Sequence, residues 1–114
     1  LPQVRSGKLR ALATSGLKRS PMLPEVATVS ESGVKGFEVT GWYGVLLPAA
    51  TPPDIIGRLH AEVVRVLAIP DVRARMSGEG ADVVGSTPQE FDRFIRAETA
   101  KWARVVRLSG ARAE

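Results

Sequence analysis
Two stretches of this chain open in the same way. Thr51-Pro52-Pro53-Asp54 and Thr87-Pro88-Gln89-Glu90 each set a threonine before a proline and put an acid in what would be a first helical turn. Proline has the helical φ and lacks the N–H that a first turn leaves unsatisfied. Threonine offers an oxygen to the orphan donors, and an acid complements the positive end of the helix dipole. These openings fix where two helices begin, and with them most of the second half of the chain.

After the first opening, Ile55, Ile56, Leu59, Val63, Val66 and Leu67 fall on one helical face, and Asp54, Arg58, Glu62 and Arg65 fall on the other. Pro70 stops this helix, and Asp71 to Met76 adds one or two turns. The second opening launches the longest helix, to about Leu108, with Phe91, Phe94, Ile95, Trp102, Val105 and Val106 as its apolar stripe. Thr28-Val29-Ser30-Glu31 has the spacing of a capping box and predicts a one-turn helix ended by Gly33. Leu1 to Gly7 reads as the end of a helix broken by Gly7.

Between these elements, three stretches are expected as strands. They are Lys8 to Ser15, stopped by Gly16; Phe37 to Leu47, alternating at first and wholly apolar from Val45; and the short Ala81 to Gly85. Leu17 to Glu25 carries two prolines and no period, and is a loop. The order is strand, strand, helix, helix, strand, helix. This predicts an α/β chain of about three strands and three to four helices, with a long C-terminal helix and a sheet whose edges are bare.

The 114 residues are 44% apolar and 25% charged, as in an ordinary globular chain, and no apolar run approaches the roughly 20 residues of a membrane helix. The absence of cysteine removes disulfides and thiolate chemistry and leaves the compartment open. The single histidine, His60, flanks an apolar stripe and reads as structural; with no second histidine it anchors no zinc site. No serine stands in a hydrolase elbow, and the glycines form neither a phosphate loop nor a dinucleotide fingerprint, so an enzyme and a cofactor are both unexpected.

Four features are weighed further. Arg93, Arg96, Arg104 and Arg107 project from the polar side of the last helix, and the net charge of +4 permits an anionic partner. Cations near a helix C-terminus are also what the dipole favours, and no aromatics are interleaved for stacking on bases; a solvated face is preferred to a nucleic-acid surface. Lys8, Arg10, Lys18 and Arg19 make the first twenty residues basic, which reads as a solvated loop before it reads as an anion receiver. Glu98 falls inside the apolar stripe, where a carboxylate needs a partner; an anchor to a neighbouring loop is preferred to a ligand contact. Trp42 and Tyr43, between Gly41 and Gly44, either pack in a core or line a cleft or interface.

The pieces KLRALA at Lys8 to Ala13, KRSP with LPEV between Lys18 and Val26, GWYG at Gly41 to Gly44, PAATPP at Pro48 to Pro53, and FIRAE with KW between Phe94 and Trp102 stand in one order along the chain. In that order they resemble the C-terminal part of the Bug receptors, the periplasmic solute-binding proteins of tripartite tricarboxylate transporters. The resemblance spans essentially the whole chain. It implies part of a type II periplasmic-binding-protein fold, in which two α/β lobes close on a small carboxylate.

On that resemblance, residues 1–40 belong to the second lobe and the hinge, and residues 41–114 to the C-terminal part of the first lobe. The chain covers about the last third of such a receptor, without the glycine-rich and serine/glycine loops that supply most donors to the ligand. Thr40, Trp42 and Tyr43 are expected at the cleft wall, with Gly41 letting the backbone bend. The implied partners are a small organic acid, the membrane subunits of the transporter and, through open sheet edges, a second copy by dimerisation or strand exchange. Nucleic acid is not among them. A free-standing basic module that binds nucleic acid or an acidic protein is the alternative.

Overall fold
A computed structural model describes residues 1–112. Four helices form among the described residues: α1, Pro2–Arg5; α2, Pro53–Leu67; α3, Pro70–Gly78; and α4, Pro88–Ser109. The chain divides into two compact units, one of Leu1–Leu46 with Gly78–Ala81, the other of Leu47–Ser77 with the residues from Asp82 onward.

The helices start and stop largely where local chemistry dictates. At α4 the Thr87 hydroxyl accepts from the Glu90 backbone N–H at 3.3 Å, and the Glu90 carboxylate accepts from the Thr87 backbone N–H at 2.8 Å. Two orphan donors are thereby satisfied at once, with Pro88 in the first turn. Gly110, in the left-handed conformation at φ 68°, ends the helix.

The look-alike opening at Thr51 behaves differently. The residue that caps α2 is Pro52, which makes no side-chain cap bond, and Pro53 is the first helical residue. The Thr51 hydroxyl turns back and donates to the Pro48 carbonyl at 2.8 Å, closing a turn with the Thr51 backbone N–H on the same oxygen. The second proline moves the helix start one residue along, and the threonine is left outside capping range.

The capping box at Thr28 is present without the helix it predicts. The Thr28 N–H donates to the Glu31 carboxylate at 2.8 Å and the Glu31 N–H to the Thr28 hydroxyl at 3.0 Å. One helical-type bond, Ser32 N–H to Thr28 carbonyl, follows, and Gly33 at φ 119° turns the chain away. Arg19 grips the same Glu31 carboxylate at 2.9 Å and also donates to the Pro24 carbonyl, so the proline-rich loop is clasped onto this turn. Thr28 is fully buried at its centre.

The three expected strands do not form among the described residues. Lys8 to Ser15 contributes a single parallel bridge, Thr14 to Thr28, made by Thr14 N–H to Ala27 carbonyl and Val29 N–H to Thr14 carbonyl. Phe37 to Leu47 contributes one bond, Val39 N–H to Ser15 carbonyl at 2.9 Å, and Ala81 to Gly85 pairs with nothing. A helix satisfies its backbone internally, whereas a strand exists only through a neighbour's ladder, and these segments meet too little of one another to build a ladder.

The second unit covers the expected faces only in part: Ile56, Val63 and Leu67 of α2 and Phe91 and Ile95 of α4 are half-buried, whereas Ile55, Leu59, Val66, Trp102, Val105 and Val106 are exposed. Gly85 lies against Val64 and Leu67 of α2, and the Phe91 and Phe94 rings of α4 stack with centroids 6.4 Å apart. Yet no apolar side chain among the described residues is fully buried.

The two openings make contrasting predictions. Thr87→Ala should cost about 1 kcal/mol in chemical unfolding, as loss of an N-cap does, and Thr51→Ala about half as much, because its turn keeps a backbone bond. The carboxyls of Glu31 and Glu90 are held below their usual range, first by the backbone N–H of Thr28 and of Thr87, then by the Arg19 guanidinium and the Thr87 hydroxyl respectively. Their contribution is present in full above the ordinary glutamate value, about 4.3, and is lost as pH falls through the lowered folded values. Denaturant midpoints should therefore drop on acidification through that window, and a Glu31→Gln, Glu90→Gln double variant should flatten the drop.

Candidate functional site
In the first unit, two distant segments are drawn together at Ser15, Gly16, Val39 and Thr40. The Ser15 carbonyl holds the Val39 N–H, and a Cβ placed on Gly16 would stand 3.3 Å from the Lys18 carbonyl oxygen and 3.8 Å from Cγ2 of Thr40. A Cβ would sit at ordinary contact distance from Thr40 but crowd the Lys18 carbonyl, which would have to give by a few tenths of an ångström. Gly41, expected to be the permissive glycine, faces open space at its Cβ position and has no positive φ. The tight approach thus belongs to Gly16, which sequence reading took only as a strand stop.

Beyond Thr40 the chain carries its two large rings outward. Trp42 is 42% exposed and Tyr43 is 99% exposed, so the Tyr43 ring has almost no cover. A core role in this chain is excluded for Tyr43 on that figure. Thr40, Trp42 and Tyr43 therefore sit along one exposed edge of the first unit, directly after the Ser15–Val39 bond. Nearby, the Thr14 hydroxyl is buried and has no hydrogen-bond partner among the described residues.

Glu98 finds partners, but on its own helix rather than on a neighbouring loop. Its carboxylate forms an ion pair with Lys101 and accepts the Trp102 indole N–H at 2.9 Å, while the Lys101 ammonium lies 5.5 Å from the Trp102 ring centre. Lys101 chiefly, and then the indole, hold the Glu98 carboxyl below its usual range against the opposing effect of burial. The three- and four-residue spacings that make this cluster are visible in the sequence once the partner is sought on the helix itself.

His60 lines a recess with Pro53, Ile56, Thr87 and Gln89, and its Nε2 is buried without a partner. The helix N-terminus at this recess is already satisfied by the Thr87–Glu90 pair, and His60 faces the Glu90 carboxylate electrostatically. An arriving anion would find the donors taken and a carboxylate beside it. No group of three or more metal-ligating side chains occurs among the described residues, and no helix there is long and apolar enough to cross a membrane.

An exposed aromatic edge thus follows a pinned crossing of two segments. Residues 1–110 match the family described as tripartite tricarboxylate transporter family receptor, and the chain belongs to that family. Protein BugT of Bordetella pertussis is 38% identical over 112 residues, covering 98% of this chain and 34% of that protein. The UPF0065 protein in the tcbD-tcbE intergenic region of Pseudomonas sp. (strain P51) is 37% identical over 100 residues, covering 87% of this chain and 30% of the relative.

Two solved structures are similar throughout. The periplasmic binding protein BugD superposes with a TM-score of 0.83 at 34% identity, over 99% of this chain and 38% of its own. R. palustris Rpa4515 with adipate superposes with a TM-score of 0.79 at 33% identity, over 96% of this chain and 36% of its own. The chain thus shares the fold of part of a periplasmic binding protein, and it spans about a third of the length of the relatives it matches.

The crossing can be tested directly. Gly16→Val should crowd the Lys18 carbonyl through its Cβ and Thr40 through its branched methyls, and so weaken the neighbouring Val39 to Ser15 bond, with the Val39 amide exchanging about tenfold faster while amides within α4 are unchanged.

Proposed function
We propose that this chain is part of an extracytoplasmic receptor that captures a small organic carboxylate in the periplasm and passes it to the membrane subunits of a tripartite transporter. The observation that carries the reading is the family match over residues 1–110 together with close superposition on periplasmic binding proteins. One of the superposed structures is titled with adipate, a dicarboxylate, which supports the class of ligand.

Within such a receptor, residues 1–40 belong to the second lobe and hinge and residues 41–114 to the first lobe. Thr40, Trp42 and Tyr43 form part of the ligand cleft wall. The Thr40 hydroxyl can hydrogen-bond a carboxylate oxygen, and the rings offer flat apolar walls to a ligand's carbon chain while excluding water. Support for this role comes from the 99% exposure of Tyr43, since a large ring left bare beside a pinned crossing is suited to meet a ligand or a closing lobe. Glu98 serves as a structural anchor that fixes Lys101 and Trp102 on α4.

Adipate should give a saturable rise in melting temperature for the receptor in the full length its cells make. Its stabilisation should reach about 2.7 kcal/mol at a hundred times the dissociation constant, with no comparable rise from chloride at equal ionic strength. Trp42→Ala should weaken the affinity at least about tenfold, the loss expected when a ring wall is truncated. If no mono-, di- or tricarboxylate stabilises the full-length protein, the receptor reading fails; if ligand binds but Trp42→Ala binds equally well, the ring belongs to packing instead.

A further inference from the structure
The arginines of α4 are aligned more strictly than a merely soluble helix face requires. At 3.6 residues per turn, Arg93, Arg96, Arg104 and Arg107 fall within an arc of about 80°, with Ala100 at the intervening turn, and the row runs about 21 Å. It stands opposite Phe91, Ile95 and Trp102. The helix dipole explains cations only in the last turn, so it accounts for Arg107 and not for Arg93 or Arg96.

The acids of α4 neutralise only one member of this row, Arg96. Glu90 is committed to its capping box, Glu98 to Lys101 and Trp102, and Asp92 to Arg96 at 2.9 Å. Arg93 feels Glu90 and Asp92 only through space. Among the described residues Arg93, Arg104 and Arg107 have no ion-pair partner, although all three are exposed; Arg107 donates only to the Ala103 carbonyl of its own helix. A solvated helix face normally mixes its signs, as α2 does where Arg65 pairs with Glu62.

We propose that the row Arg93–Arg96–Arg104–Arg107 is a docking surface for an acidic protein face, that of the transporter's membrane subunits exposed to the periplasm; this rests on the receptor reading above. Guanidinium groups bind carboxylates through two parallel hydrogen bonds, and the row contains arginine throughout and no lysine. Charge complementarity of this kind sets orientation and on-rate, which a carrier that docks and leaves repeatedly requires. A lipid surface fits less well, because a helix lying on a membrane puts its apolar face toward the acyl chains, and here the apolar face is the one opposite the arginines. Nucleic acid would be served by interleaved aromatics, and the row has none.

The test uses the full-length protein and a labelled helical peptide with glutamates at the matching three- and four-residue spacings, read by fluorescence anisotropy. Expected are saturable binding that weakens with salt, at least about tenfold weaker binding of a scrambled peptide of the same composition, and a similar loss in an Arg104→Glu, Arg107→Glu variant. Arg58→Glu, on the outer face of α2, should change the affinity by less than about twofold. Equal binding of the scrambled peptide, equal loss in Arg58→Glu, or tighter binding of phosphatidylglycerol vesicles or a DNA duplex would overturn the proposal. Adipate melts on the same samples separate the outcomes: stabilisation that survives in the Arg104→Glu, Arg107→Glu variant keeps the receptor reading whatever the peptide does.

Discussion
A threonine hydroxyl and a glutamate carboxylate three residues later close this chain in two places, at Thr28–Glu31 and at Thr87–Glu90. Each closure satisfies two backbone donors reciprocally, and each is used for more than a helix start. Around Thr28 it provides the one fully buried residue among those described, holds Arg19 and the proline-rich loop, and sets Thr28 beside Thr14. That bridge in turn fixes Ser15, whose carbonyl holds Val39 and so places Thr40, Trp42 and Tyr43. A hydrogen-bonded turn of four residues thus determines where the aromatic edge stands, and the order of dependence runs from the cap to the site.

What could be read from the sequence divides along the range of the forces involved. The openings near Pro53 and at Pro88 and the stop at Pro70 are decided by neighbours a few residues away, and α2, α3 and α4 were legible for that reason, whereas the Gly110 cap that ends α4 was not read. Thr51 was misread because two prolines in succession shift the helix start by one residue, a matter of register that a motif does not encode. The strands were not legible as such: Phe37 to Leu47 has the pattern of a strand, but its pairing depends on backbone brought from elsewhere. For Glu98 the need for a partner was legible, while the choice between a loop and the helix itself rested on side-chain geometry. Gly16 was hidden because a stop glycine and a close-approach glycine look identical in sequence.

The apolar surface sets a further constraint. Nearly half of the residues are hydrophobic, yet Leu12 and Val84 are each 81% exposed and no apolar side chain among the described residues is fully buried. Apolar burial is the main favourable term in folding and must offset the entropy of ordering the chain. Capping boxes and surface ion pairs, each contributing on the order of 1 kcal/mol or less, do not replace it. The chain spans about a third of the length of these relatives, and Leu12, Leu46 and Val84 stand exposed beside segments, Lys8 to Ser15 and Phe37 to Leu47, that are patterned for ladders they do not form.

Helix α4 shows how one element can serve packing and recognition without conflict. Its 22 residues span about 33 Å, and its two faces have opposite requirements. Phe91 and Ile95 are half-buried on one face, where turning the helix would expose them, whereas Glu98, Lys101 and Trp102 bond to one another within the helix and turn with it. Keeping that face covered also sets the direction of the arginine row, whose own contacts, Arg96 to Asp92 and Arg107 to the Ala103 carbonyl, lie within the helix. A docking partner would then meet guanidinium groups carried in register on a helix, so less backbone freedom would be lost than if the row lay on a loop.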